Sequence, residues 1–150
     1  MNFDANADDF TIGVVGAGAM GQGIVQVSLQ GGMQVLLFDA NEEGALAGRD
    51  LIFQRLDRSV DKGRLELGAV NQMKNNLRLV DSIAAFNSCN AVVEAVFEDL
   101  EVKHAVYEEL EQHVSSECII ASNTSSLSIT SIAKECRVSD RIVGLHFFNP

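Results

Sequence analysis

The 150-residue sequence is poor in proline, cysteine and basic residues, and it has no long apolar run. Each shortage excludes something. Lysine and arginine number 11 against 21 acidic residues, a formal charge of −10. A nucleic-acid binder would show a basic excess, and so would a polybasic protein of the membrane surface. Neither partner is expected. No run of 18 apolar residues occurs, so no membrane span is expected, and the opening residues 1–10 are acidic rather than signal-like. The cysteines, Cys89, Cys118 and Cys136, are odd in number and widely spaced. They form neither a disulfide framework nor a zinc-site spacing, so no metal is expected. They read as core filler in a reduced cytoplasm. The single proline is Pro150, the last residue. It closes the apolar run Leu145-His146-Phe147-Phe148-Asn149-Pro150, and the expectation is that the natural chain continues beyond it.

What is present suits one domain. The sequence is 47% hydrophobic and 21% charged, enough to fill a core and unlike a disordered segment. Residues 1–10 read as a loose acidic tail, and residues 11–150 as the domain. Short apolar runs at 11–15, 34–38, 77–80, 91–96, 118–121 and 141–147 read as strands. Helical spacing covers 20–30, 42–63, 100–114 and 129–134. On 100–114 the residues Val102, Val106, Leu110 and Val114 stand four apart. On 20–30 the pattern is Met20, Ile24, Val27 and Leu29, and on 42–63 it is Leu46, Leu51, Phe53, Leu56 and Val60. Strand and helix alternate, which predicts an α/β, doubly wound, mainly parallel sheet with helices on both faces.

Gly16-Ala17-Gly18-Ala19-Met20-Gly21 fits G-x-G-x-x-G between a strand and a helix. Gly16 permits the turn out of the strand, Gly18 lets a pyrophosphate approach the backbone, and Gly21 lets the helix lie close to the strand. The phosphates would meet free N–H groups at the helix start. A second strand ends at Asp39, placed to accept hydrogen bonds from an adenosine ribose. A carboxylate there repels a 2′-phosphate, so NAD is favoured over NADP. An acidic chain must hold this anion through local dipoles and a few placed cations.

Three further segments run from apolar into polar residues: 93–103, with Ala95, Glu98 and Lys103; Ala121-Ser122-Asn123-Thr124-Ser125-Ser126-Leu127; and Gly144-Leu145-His146-Phe147-Phe148-Asn149-Pro150. In an open parallel sheet, ligands sit outside the C-terminal strand ends, so these polar groups should converge on a bound nicotinamide. Together the segments resemble the NAD-binding domain of the L-3-hydroxyacyl-CoA dehydrogenases, over residues 11–150. The stretch 55–65 resembles bacterial members acting on 3-hydroxybutyryl-CoA or 3-hydroxyadipyl-CoA.

The resemblance implies oxidation of the C3 hydroxyl of an acyl-CoA by hydride transfer to NAD, in fatty-acid β-oxidation or related metabolism. Such chemistry needs a base for the hydroxyl proton, and histidine suits it, with an unperturbed pKa of about 6.5. By resemblance His146 is that base, and Ser125 bonds the substrate oxygen. Asn149 is on the substrate side. Asn123, Glu98, Lys103 and the Ala95 backbone line the cofactor. Glu98 and Lys103 could instead be a surface ion pair of little worth, and Ser126 or Ser128 a helix cap. Arg55, Arg58 and Lys62 share a helical face, usually a solvated one. By resemblance Arg55 and Lys62 approach the coenzyme A. His104 and His113 read as surface residues. The family also implies an orienting glutamate about a dozen residues beyond His146, an all-helical C-terminal domain and a homodimer. Without these the 150 residues are expected to bind NAD but turn over acetoacetyl-CoA negligibly. Two alternatives stand beside this reading. One is a dehydrogenase of the 3-hydroxyisobutyrate or 6-phosphogluconate type, which uses a lysine. The other is a non-catalytic nucleotide-binding or crystallin-like module.

Overall fold

The computed structural model describes residues 7 and 9–148. In chain order its elements are β1 (Thr11–Val15), α1 (Ala19–Gln30), β2 (Gln34–Phe38), α2 (Glu42–Asp61), α3 (Leu67–Asn75), β3 (Leu77–Leu79), β4 (Ala91–Glu94), α4 (Leu100–His113), β5 (Ile119–Ser122), α5 (Ile129–Ala133) and β6 (Ile142–Gly144). Short 3₁₀ segments lie at Ile83–Ser88 and Ser139–Arg141. Every strand pairing is parallel, and the sheet order is β3-β2-β1-β4-β5-β6. Parallel neighbours need crossovers, and the crossovers cover both faces.

The period-2 alternation of a strand divides the core in two. Ile12, Val14, Val35, Leu37 and Val93 pack with Ile24, Leu29, Ile52, Leu56 and Val70, so this face lies under α1, α2 and α3. Val15, Leu36, Val92 and Ile120 pack with Phe86, Tyr107, Leu110 and Ile132, under α4 and α5. This is the doubly wound sheet that the alternating pattern predicts.

The helix faces differ from the predicted stripes. On α4 the buried residues are Lys103, Tyr107 and Leu110, while Val102 is 40% exposed. Four residues turn a helix by about 400°, so a stripe of strict fours drifts about 40° per step off any face. The Glu94 carboxylate also draws Lys103 inward. On α1, Val27 is exposed and Ser28 is buried, with the Ser28 hydroxyl donating to the Ile24 carbonyl. On α2, Leu46 and Leu51 are exposed, and Ala45, Gly48, Ile52 and Leu56 face inward. A Cβ on Gly48 would stand 3.0 Å from the Ala17 carbonyl oxygen, so α2 lies too close to the glycine loop for a large side chain there.

Two strands are shorter than the apolar runs suggest. After β4, the Val96 N–H donates to the Glu94 side chain instead of a neighbouring strand. After β6, the Phe147 N–H donates to the Asn123 side chain, and the chain leaves the sheet. Helix α3, which the spacing does not single out, is nine residues long with only Val70 fully buried and Met73 packed beside it. Of residues 1–10, Phe10 is not tail: it is buried, and its carbonyl accepts from Gln34 N–H at 3.0 Å.

Candidate cofactor and substrate site

The glycine loop leaves β1 where the sheet order reverses, between β1 and β4. Gly16 has φ +106°, and a Cβ on it would meet the Ala95 carbonyl oxygen at 2.5 Å. A Cβ on Gly21 would stand 1.8 Å from the Gly16 oxygen. Both positions are therefore closed to a side chain by neighbouring backbone. Gly18 is different: nothing lies within 4 Å of its Cβ position. Gly18 is also the N-cap of α1, with no capping side chain and no acidic residue in the first turn. Ala19 and Met20 begin the helix, so their N–H groups have no intrahelical acceptor. Open space over unpaired N–H groups at a helix start suits a phosphate.

Asp39 stands just past β2, half-buried. One carboxylate oxygen accepts from Ala17 N–H at 2.7 Å and the other from Asn41 N–H at 2.8 Å. The carboxylate is thus locked against the glycine loop. Each oxygen keeps a lone pair for a further donor, as a ribose diol would supply.

The ends of β4, β5 and β6 enclose a cleft of about 310 Å³ whose walls are Met20, Ala95-Val96, Glu98, Asn123, Ser125 and His146 to Phe148. Glu98 clamps the turn after β5. It accepts from the Thr124 hydroxyl, from the Ser125 and Ser126 N–H groups at 3.2 and 3.3 Å, and from the Ser126 hydroxyl at 3.1 Å. Partial burial works against ionisation of this carboxyl. The Thr124 and Ser126 hydrogen bonds and the Lys103 charge outweigh it, and its pKa falls to about 2. Ser128, not Ser126, caps α5. His146 is exposed on the cleft wall between two anchors. The Leu145 N–H donates to the Ser122 carbonyl at 3.0 Å, and the Phe147 N–H donates to Asn123 Oδ1 at 2.8 Å. The Phe148 ring lies 4.6 Å from the His146 ring, tilted 56°.

Beneath the cleft is a buried polar cluster. Glu94 accepts from Lys103 Nζ at 2.6 Å, from the Ser122 hydroxyl at 2.7 Å and from the Val96 N–H at 2.8 Å. Glu94 and Ser122 are fully buried, and Lys103 is 1% exposed. Lys103 stands 3.6 Å from Glu98, so it reaches the cleft through that carboxylate. A solvated surface ion pair does not describe it. Burial, then the Glu94 charge, push the Tyr107 hydroxyl pKa up.

The structure therefore brings Met20, Ala95, Glu98, Asn123, Ser125 and His146 to one cleft, beside the glycine loop and Asp39. Arg55 and Lys62 are exposed on and just after α2 and stand apart from its walls. Arg55 Nη2 donates to Gln22 Oε1 at 3.1 Å, and Gln22 Nε2 donates to the Ala17 carbonyl at 2.9 Å. Asn149 lies outside the described residues. Sequence reasoning missed Glu94, Ser122 and Thr124. For Glu94 a signal existed: a lone carboxylate inside the run Val92-Val93-Glu94-Ala95-Val96 needs a buried partner.

The chain is similar to known proteins over nearly its whole length. Residues 11–150 match the family model described as 3-hydroxyacyl-CoA dehydrogenase, NAD binding domain. The chain is 39% identical over 140 residues to a 3-hydroxyadipyl-CoA dehydrogenase of Escherichia coli strain K12, spanning 93% of this chain and 30% of that protein. It is 37% identical over 140 residues to a 3-hydroxybutyryl-CoA dehydrogenase of Mycobacterium tuberculosis, spanning 93% and 49%. The crystal structure of a 3-hydroxybutyryl-CoA dehydrogenase from Escherichia coli K12 superposes with a TM-score of 0.92 at 39% identity, over 95% of this chain and 30% of that one. The chain thus spans half or less of the length of these relatives.

Proposed function

Since the chain belongs to the NAD-binding-domain family of the 3-hydroxyacyl-CoA dehydrogenases, we propose that its cleft is the cofactor half of a dehydrogenase site acting on the C3 hydroxyl of an L-3-hydroxyacyl-CoA. One observation carries this reading. The glycine loop after β1, the locked carboxylate after β2 and the polar ends of β4, β5 and β6 all lie on one edge of one parallel sheet.

The residues suit the cofactor on their own geometry, because Gly18 leaves open the space a Cβ would fill and Gly16 and Gly21 allow the close packing around it. The loop 16–21 holds the pyrophosphate and Asp39 the adenosine ribose. Ala95, Glu98 and Asn123 line the nicotinamide side, with Lys103 acting through Glu98. NAD, when bound, supplies the hydride acceptor. His146 takes the C3 hydroxyl proton, and Ser125 donates a hydrogen bond to the substrate oxygen. Asn149 meets the substrate, and Arg55 and Lys62 meet the coenzyme A phosphates. The family likeness supports a homodimer and a cytoplasmic location. Among the described residues no helix is long and apolar enough to cross a membrane.

Titration of the purified chain with NADH, followed by cofactor fluorescence, tests the proposal. Saturable binding is expected, weaker for NADPH than for NADH because the Asp39 carboxylate repels the 2′-phosphate. Asp39→Ala weakens NADH binding and narrows that preference. Absence of saturable NADH binding overturns the reading.

A further inference from the structure

We propose that Glu94, which no ligand can touch, is a positioning residue that ties the ends of β4, β5 and α4 into one unit and so sets the nicotinamide side of the cleft. This rests on the reading of the cleft as an NAD(H) site. Glu94 is fully buried, and its three donors come from three different segments: the stretch after β4, the end of β5 and the start of α4. The Val96 N–H belongs to the stretch after β4 that lines the cleft. The Ser122 hydroxyl ends β5, immediately before Asn123 and the turn carrying Ser125. The Lys103 ammonium comes from the first turn of α4 and stands between Glu94 and Glu98. Glu98 in turn holds the Ser125 and Ser126 N–H groups. A continuous chain of contacts thus runs from a buried carboxylate to the turn that presents Ser125.

Packing alone does not call for charge here, since a buried ion pair is commonly no more stabilising than an apolar pair of the same volume. What the charged set supplies is direction: a carboxylate can accept from three segments at once, and an ammonium can serve two carboxylates. None of the three donors belongs to the glycine loop or to Asp39. The two halves of a dinucleotide would therefore feel Glu94 differently.

That difference is the test. NADH and ADP-ribose share the pyrophosphate and the adenosine, and only NADH reaches the nicotinamide side. Glu94→Gln should weaken NADH binding by about tenfold, the scale of one charge-assisted hydrogen bond, and change ADP-ribose binding by less than about twofold. Adding Lys103→Met removes the stranded ammonium. The double variant should regain melting temperature without regaining NADH affinity, since it lacks both the Glu94 tether and the Lys103 charge that acts through Glu98; the selectivity for NADH over ADP-ribose is what separates positioning from a purely structural role. Ser122→Ala deletes the β5 tether while leaving the Lys103 and Val96 donors in place, and should give a smaller loss with the same selectivity, even if Glu94→Gln folds poorly. Parallel weakening of both ligands, unchanged NADH affinity in Glu94→Gln, or joint recovery in the double variant overturns the proposal. A wild-type chain that binds neither ligand overturns the NAD(H) reading itself.

Discussion

Gly18 and Gly21 are three residues apart and look alike in the motif, yet their surroundings differ. A Cβ on Gly21 would collide with the Gly16 carbonyl oxygen, and one on Gly18 would meet nothing. Gly21→Ala should therefore cost about 3 kcal/mol or more of stability. Gly18→Ala, at φ −67° and ψ −175°, should cost less than about 1 kcal/mol and still weaken NADH binding. Urea unfolding and NADH titration of both variants separate the two effects. The thiols give a second test at this scale. Burial pushes Cys89 up to about 12 and Cys118 up to about 11. Neither should react with a thiol reagent at neutral pH until the chain unfolds, and full-rate labelling of Cys89 or Cys118 in the native protein, read apart from the partly buried Cys136 by peptide mapping, would contradict their placement. His146→Gln should leave NADH affinity nearly intact, because a base for the substrate proton is not a cofactor anchor. A large loss of affinity would reassign His146 to cofactor binding.

The strand ends act as units, and Glu98 shows how. Its folded pKa of about 2 lies below its ordinary 4.5. A depressed carboxyl stabilises the fold above the unfolded value, and that contribution is lost as pH falls from about 4.5 toward 2. Glu98→Gln should therefore lose stability against wild type at pH 6, and the gap should close progressively as pH falls below about 4.5. The side chain is 37% exposed, so solvent screening keeps the effect modest. Urea midpoints at several pH values check it, and a gap independent of pH would contradict the clamp. The existence of β1, β2, α1 and α4 was legible because their apolar runs are long or strongly periodic. The burial face of α4 was not, because Lys103 turns inward to a carboxylate nine residues away. Helix α3 was not legible because its stripe, Leu67, Val70 and Met73, is confined to nine residues.

Taken whole, a chain of formal charge −10 is expected to hold an anionic cofactor. Local N–H groups would do this work, not the net field. Raising salt from about 0.05 to about 0.5 M screens the long-range repulsion and should change NADH affinity by less than about threefold. A loss of several orders of magnitude, as for a nucleic-acid binder, would point to binding through the basic face of α2 instead. Binding should also raise the melting temperature, with a linkage of about 2.7 kcal/mol at a ligand concentration of 100 times Kd. Asp39→Ala should reduce that shift at equal NADH.

The sequence by itself determined the alternating α/β plan, the glycine loop with its strand and helix, Asp39 at a strand end, and the family. These are local patterns, readable from spacing and residue type, or specific motifs such as H-F-F-N-P. The tertiary structure alone decided which distant groups meet. It joined Glu94, Ser122 and Lys103, hung the turn after β5 on Glu98, and seated His146 between anchors from Ser122 and Asn123. The physical reason is that a buried or clamped charge takes its partners from whichever strands the sheet order places beside it, and separation along the chain does not encode that order.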